Sequence, residues 1–284
     1  MLLELSNLTS RLLVVYSELS QAQQVAVWLL EKLLQVSSVQ ILTNLDLQLT
    51  AEQAHILDQW LEQLVEEHKP LQYILGNVPF LDLEILVEPP ILIPRLETEW
   101  WVSSLTQQIT ALKNEPLKIL DLCSGTGCIG LALASYFPNS QVTAVDISAQ
   151  ACALIAKNKQ HNNISNLRIV HADLYAKLAR QKYDLIVANP PYVPRLDYQN
   201  LDLSVRLWED RLALVAPGED LAVIKKIITL APNYLQKKYA DLPQLWLEID
   251  ATQGAVVVAL MQAKFERVGE VLDQFGRQRV VIGK

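Results

Sequence analysis

The chain has 284 residues, enough for one large domain or two smaller ones, and its 51% hydrophobic and 19% charged content excludes general disorder. Its 31 acidic against 24 basic residues give a net charge of −7, which weighs against a long polyanion as substrate. Mean hydropathy is +0.17, yet the longest apolar stretches, such as Ile91–Pro94 and Leu245–Ile249, fall far short of a spanning helix.

The amino terminus, Met1-Leu2-Leu3-Glu4, has no basic leading region, so neither a secretory signal nor a transit peptide is expected. Cys123, Cys128 and Cys152 have neither disulfide-framework nor metal-ligand spacing and suit a reducing compartment. The expected location is the cytoplasm, or an organelle after removal of a targeting peptide. Residues 1–75 read as a helical domain. Ser20-Gln21-Ala22-Gln23 and Thr50-Ala51-Glu52-Gln53 both match the capping box, in which a hydroxyl and a Gln satisfy orphan backbone donors. Ala54, Leu57, Trp60, Leu61, Leu64 and Val65 then recur at helical spacing. Residues 76–100 read as a β-hairpin linker. Phe80, Leu83, Ile85 and Val87 suggest extended chain, and Pro89, Pro90 and Pro94 punctuate it.

Residues 101–284 read as strands alternating with helices. Strands are expected at Ile119–Leu122, Val142–Val145, Leu167–Val170, Leu185–Ala188 and Leu245–Ile249, and near Val268 and Val280. Helices are expected over Gly130–Tyr136, after the cap candidate Ser148, over Leu221–Leu230 and over Ala255–Lys264. This rhythm predicts an α/β, doubly wound and mostly parallel sheet, with ligands outside the carboxyl ends of its strands.

The first of these strands runs into Asp121-Leu122-Cys123-Ser124-Gly125-Thr126-Gly127. Small residues let backbone pass close to a ligand, and glycine tolerates positive φ. Gly125, Gly127 and Gly130 also fit G-x-G-x-x-G, so a nicotinamide or flavin dinucleotide is a competitor. Asp146 ends the second strand about 20 residues on, where a carboxylate can accept both ribose hydroxyls. That feature is common to dinucleotide and S-adenosylmethionine sites. Asp121 favours the latter: a carboxylate there can receive the methyl donor's ammonium group and would repel a pyrophosphate. Asp173-Leu174, after the third strand, could take the adenine amine and pack on its ring.

The fourth strand ends in Asn189-Pro190-Pro191-Tyr192. The prolines set φ and cannot donate, so nearby carbonyls are free to accept from a ligand. Asn189 adds a side-chain acceptor and donor, and Tyr192 a flat wall. Such a cup suits a planar group bearing an NH2.

Asp-x-Cys-Ser-Gly-Thr-Gly, a strand-end acid and Asn-Pro-Pro-Tyr together resemble a class I S-adenosylmethionine-dependent methyltransferase with a Rossmann-like, mostly parallel seven-stranded sheet. Adenine N6, guanine N2 and glutamine N5 methyltransferases share the cup. Pro70-Leu71-Gln72-Tyr73-Ile74-Leu75-Gly76 and Leu92-Ile93-Pro94-Arg95-Leu96-Glu97-Thr98-Glu99 resemble the PrmC/HemK family. Val205-Arg206-Leu207-Trp208-Glu209 with Ala213-Leu214, and Glu248 with Gln253, resemble later blocks of that family. The resemblance covers essentially the whole chain. It implies methylation of the glutamine of the Gly-Gly-Gln motif in class I peptide chain release factors, with a protein partner and neither membrane, metal nor direct nucleic-acid substrate. Methylation of a ribosomal-protein glutamine ranks second, and amino-methylation of a nucleic-acid base after it.

The resemblance implies roles. Asn189, Pro190 and Tyr192 are catalytic, Asn189–Tyr192 hold the substrate amide, and Asp121, Cys123, Ser124, Gly125, Thr126, Gly127, Asp146, Asp173, Leu174 and Asn189 hold the donor. Cys123 is there as a small residue, not a nucleophile, and His161 and His171 are ordinary surface or strand-flank residues. Arg95, Glu97 and Glu99 would organise the linker against the catalytic domain and could shape the donor pocket, Glu209 would steady the cup loop, and the amino-terminal helices would dock the protein substrate. The family usually carries Pro at position 96, Glu-Pro at 209–210, Gly at 250 and a Gly-Gly hairpin before the late strand. Here those places hold Leu96, Glu209-Asp210, Asp250 and Lys237–Pro243.

Overall fold

The computed structural model describes residues 5–43, 48–176, 178, 181–239 and 242–284. Met1–Glu4, and residues 240–241 of the stretch that replaces the glycine hairpin, lie outside the described residues. The chain divides into two compact units, one of residues 1–76 with 202–208 and one of residues 77–201 with 209–284.

The first unit holds helices α1 (Leu5–Leu12), α2 (Leu19–Leu34), α3 (Ser38–Thr43), α4 (Ala51–Val65) and α5 (Leu71–Leu75). Leu12, Val25, Leu29, Leu30, Leu61 and Leu64 share its core. The box at Thr50 forms as expected: Thr50 Oγ1 accepts from the Gln53 amide at 3.1 Å, and Gln53 Oε1 accepts from the Thr50 amide at 3.0 Å. The one expected at Ser20 does not form. Helix α2 starts at Leu19 behind Glu18, and the Ala22 amide already bonds to the Glu18 carbonyl. Extending the ladder and burying Ala22 and Val25 outweighs a cap of about 1 kcal/mol. Gly76 ends α5 at φ +81°, a left-handed stop that suits glycine.

The second unit opens with an antiparallel hairpin, β1 (Asn77–Phe80) and β2 (Leu83–Leu86), then α6 (Leu96–Gln108). Strands β3 (Lys118–Leu122), β4 (Gln141–Asp146), β5 (Leu167–His171) and β6 (Leu185–Ala188) follow, with helices α7 (Cys128–Tyr136) and α8 (Ala149–His161) between them. After β6 come α9 (Leu203–Trp208), which groups with the first unit, and α10 (Arg211–Leu214), α11 (Ala222–Leu230), β7 (Leu245–Glu248), α12 (Gly254–Gln262), β8 (Val268–Leu272) and β9 (Gln278–Gly283). The seven-stranded sheet has the order β5-β4-β3-β6-β7-β9-β8. Strands β3 to β7 pair in parallel, while β9 runs antiparallel to β7 and β8. This is the mostly parallel α/β architecture expected. Among the described residues no helix is long and apolar enough to cross a membrane.

The departures at positions 96, 210 and 250 are absorbed locally. Leu96 is the first helical residue of α6, where proline's missing N–H would be harmless. Asp210 caps α10 by accepting from the Leu212 amide at 2.9 Å. Asp250 has φ −70°, so no glycine is required, and it forms a capping box with Gln253.

Candidate active site

Strand β3 lies between β4 and β6, so the strand order reverses there and opens a crevice at the carboxyl edge. Leu122 pairs with Val145 on one side and Ala188 on the other. Ala188 pairs in turn with Leu247. The residues that follow, Cys123, Asp146, Asn189 and Glu248, therefore emerge side by side, about 5 Å from strand to strand.

Asp121 is fully buried. Its Oδ2 accepts from the Gly130 amide at 3.0 Å, while Oδ1 is buried with no partner. Burial pushes its carboxyl up to about 7, against the opposing pull of its hydrogen bonds. The turn beyond it has Cys123, Gly125 and Gly127 at positive φ, with Gly127 as the N-cap of α7. A Cβ on Gly127 would press on Ile155 at 3.0 Å. Ser124 Oγ donates to the Asp121 carbonyl at 2.9 Å and accepts from the Val145 amide at 2.9 Å, so it clamps the loop to β4. Asp146 braces the same loop, accepting from the Gly125 amide and the Ser148 amide, each at 2.8 Å. The Thr126 carbonyl accepts from Asn158 Nδ2 at 3.0 Å. Asn158, fully buried on α8, also exchanges hydrogen bonds with the Leu86 backbone. That strut was missed from the sequence, where Asn158 reads as one polar residue of a polar helix. Asp173 stands beyond β5, with its carboxylate paired to Lys226 Nζ at 2.8 Å, and Leu174 beside it is buried. Burial raises the Cys123 thiol and takes Cys128 to about 12, so neither supplies a thiolate. His161 pairs with Glu84 on the surface.

The cup follows β6 directly. Asn189 Nδ2 donates to Thr98 Oγ1 at 3.2 Å. Neither Asn189 Oδ1 nor the Pro190 carbonyl has a hydrogen-bond partner among the described residues. Tyr192 is held at both ends: its hydroxyl donates to Glu248 Oε1 at 3.1 Å, and its carbonyl accepts from Gln253 Nε2 at 2.7 Å. Burial and the Glu248 charge raise the Tyr192 phenol well above its ordinary range, so it stays protonated. Glu248 is itself fully buried, and its Oε2 accepts from Trp101 Nε1 at 2.6 Å and Thr98 Oγ1 at 2.8 Å. Behind the cup, Arg95 Nη2 reaches both oxygens of buried Glu209, at 2.7 and 2.6 Å. Glu99 Oε1 takes the Leu81 amide at 2.8 Å and so closes the hairpin turn, and Glu97 meets Arg277 at 3.4 Å. Thr98 and Trp101 were also missed from the sequence. The available signal was a carboxylate inside the apolar run Leu245–Ile249, which cannot be buried without donors.

A buried carboxylate oxygen lacking a partner, beside a loop whose Gly125 has open space at its Cβ position, fits the ammonium and chain of S-adenosylmethionine. Fold and site together define a class I S-adenosylmethionine-dependent methyltransferase. Residues 103–245 match the methyltransferase small domain family, and residues 5–76 match the PrmC N-terminal domain. The chain is 36% identical over 235 residues to the release factor glutamine methyltransferase of Streptococcus pneumoniae, covering 82% of this chain and 81% of that one. It is 35% identical over 260 residues to that of Flavobacterium psychrophilum, covering 89% and 88%. The mitochondrial MRF1 N(5)-glutamine methyltransferase of Saccharomyces cerevisiae is 38% identical over 195 residues, covering 60% and 61%. The chain belongs to the family of release factor glutamine methyltransferases. In fold it is similar to the Thermus thermophilus 16S rRNA N2 G1207 methyltransferase, solved with AdoMet and guanosine (TM-score 0.52, 16% identity, 73% of this chain and 49% of that one). A methyltransferase from Pyrococcus furiosus is also similar (TM-score 0.51, 16% identity, 83% and 99%).

Proposed function

We propose that this enzyme methylates the side-chain nitrogen, N5, of the glutamine in the Gly-Gly-Gln motif of a class I peptide chain release factor. One observation carries this reading: two acceptors without partners, Asn189 Oδ1 and the Pro190 carbonyl, stand together at the exit of β6. A carboxamide NH2 has two protons to offer such a pair. The whole-chain likeness to release factor glutamine methyltransferases supports the choice of substrate. Translation then places the enzyme in the cytoplasm or an organelle. The helical unit would dock the release factor, since a loop-borne glutamine needs more than a pocket to hold it.

Asp121 would hold the donor's ammonium, Asp146 its ribose hydroxyls, and Asp173 with Leu174 its adenine, with the Cys123–Gly127 loop lying close along its chain. Bound S-adenosylmethionine supplies an activated methyl group whose departure leaves a neutral sulfur, so neither metal nor strong acid is called for. The chain's own work is on the amide. An amide nitrogen is a poor nucleophile because its lone pair is delocalised into the carbonyl. Accepting one N–H at Asn189 Oδ1 and one at the Pro190 carbonyl favours a more tetrahedral nitrogen and aims its lone pair, a positioning effect worth several kcal/mol. Tyr192 packs against the amide plane. The cup offers no base, because the Tyr192 phenol stays protonated and the Glu248 oxygens are taken by Thr98, Trp101 and Tyr192. The surplus N–H proton leaves to water.

The test is incubation with labelled methyl donor and purified release factor, followed by peptide mass mapping. The expected label is on the glutamine of Gly-Gly-Gln. A label on a nucleic acid or ribosomal protein instead would overturn the reading.

A further inference from the structure

The two ends of an Asn side chain have the same shape, and only their hydrogen bonds tell them apart. Which end of Asn189 faces outward decides what the cup can bind. With Oδ1 outward it accepts from an NH2, and with Nδ2 outward it donates to a carbonyl or carboxylate. We propose that Thr98, held as a donor by Glu248, is the positioning residue that turns Asn189 Oδ1 toward the substrate and thereby makes the site select a carboxamide over a carboxylate. This rests on the glutamine reading given above.

The argument runs through three side chains. Glu248 Oε2 receives Trp101 Nε1–H at 2.6 Å, and an indole nitrogen can only donate. That bond, with those from Thr98 and Tyr192, suits an ionised carboxylate, which can only accept. Thr98 Oγ1, 2.8 Å from the same Oε2, must therefore donate to it. Thr98 has one hydroxyl proton, so it is left with lone pairs only toward its other neighbour. That neighbour is Asn189, whose Nδ2 donates to Thr98 Oγ1 at 3.2 Å. Reversing the amide would set Oδ1 against those lone pairs, or force Thr98 to abandon Glu248 inside the core. Thr98 is 1% exposed and Glu248 is fully buried, so water cannot repair either fault.

The test compares wild type with Thr98→Val, which removes the hydroxyl at nearly constant shape, and Thr98→Ser, which keeps it. Three readouts are taken on release factor: kcat, KM, and inhibition by a factor carrying glutamate at the target position. In Thr98→Val the expected kcat falls roughly 10- to 100-fold, somewhat less than for loss of a direct transition-state donor. KM changes little. The glutamate factor binds roughly tenfold tighter, about the worth of one hydrogen bond, because Asn189 is free to turn Nδ2 outward. Thr98→Ser restores wild-type values. Unchanged kcat in Thr98→Val, or a fall in kcat without tighter binding of the glutamate factor, would overturn the relay. Should Thr98→Val not fold, an atomic-resolution or neutron structure of the wild-type protein decides the matter: Nδ2 toward Thr98 supports the relay and Oδ1 there sinks it. Failure of wild type to label the glutamine sinks the functional reading instead, and the orientation of the amide still tests the relay.

Discussion

Asp121 is a carboxyl group buried without a counter-charge, and its chemistry follows from that. With its carboxyl pushed up to about 7, the protein without donor carries a proton there at acid pH. An ammonium group beside the bare Oδ1 favours the ionised form, so donor binding must release that proton. Donor affinity, measured by calorimetry, is expected to fall as pH drops from 8 to 6, approaching tenfold per unit below pH 7. Near pH 7 the binding enthalpy should vary with buffer ionisation. Asp121→Asn should weaken binding and abolish both effects, and a flat pH profile in wild type would sink the assignment. The same proton bears on stability. The folded-state value of about 7 exceeds the unfolded value near 3.9, so the folded chain holds more protons between those limits. Stability therefore declines as pH rises from about 4 to about 7 relative to Asp121→Asn, a difference that thermal melts of the two proteins would register. At Asn189 the expectation is kinetic. Asn189→Ala should cut turnover roughly 10- to 1,000-fold, since it removes an acceptor for the reacting nitrogen's N–H. Near wild-type turnover would remove Asn189 from the mechanism.

Helix α7 shows what an element contributes beyond its residues. It approaches β3 so closely that a Cβ on Gly130 would stand 2.8 Å from Asp121 Oδ2 and 3.3 Å from Leu167 Cδ1. The Gly130 amide holds that carboxylate at 3.0 Å. Gly130→Ala must push the helix or the acid aside, and overpacking of this kind costs about 1–3 kcal/mol. A lower melting temperature and at least a tenfold weaker donor complex are expected, and wild-type affinity would show that Asp121 is not placed by this helix. Helix α6 offers the opposite case. Arg95 before it is extended, at φ −100° and ψ 150°, which suits a following proline. Leu96 is 72% exposed, and its N–H has no partner among the described residues. Leu96→Pro should stabilise the chain by roughly 0.4–1 kcal/mol in urea unfolding, with activity unchanged. These elements also mark what could be read in advance. The glycine turn, the Thr50 box and the Asn189–Tyr192 cup are local patterns, legible because their partners lie within a few residues. The Ser20 box failed because burial along α2 chose the helix start. The Glu248 network stayed hidden because Thr98 and Trp101 lie 150 and 147 residues from the acid they serve, and only the fold brings them together.

At the scale of the whole molecule, fold alone does not choose the substrate. The same sheet serves the Thermus thermophilus 16S rRNA N2 G1207 methyltransferase, and a cup for a planar NH2 would suit a guanine as well as a glutamine. Charge separates the two. A protein that grips nucleic acid through 6–10 phosphates loses roughly 10³ to 10⁵ in affinity between 50 and 200 mM salt. This chain has 31 acidic and 24 basic residues, a balance that weighs against a polyanion as substrate. Some of its basic side chains are also engaged in pairs: Arg95 with Glu209, Lys157 with Glu88, Lys226 with Asp173, and Arg277 and Arg279 with Asp273. A protein substrate imposes a milder dependence, because its contacts are mixed in sign and partly apolar. The apparent KM for release factor should therefore change by less than about tenfold between 50 and 200 mM salt, well short of the phosphate-gripping range. Duplex or single-stranded RNA added in excess should not compete. A steep salt slope, or strong inhibition by RNA, would mean that a local basic surface overrides the net charge and that the amino group methylated belongs to a base.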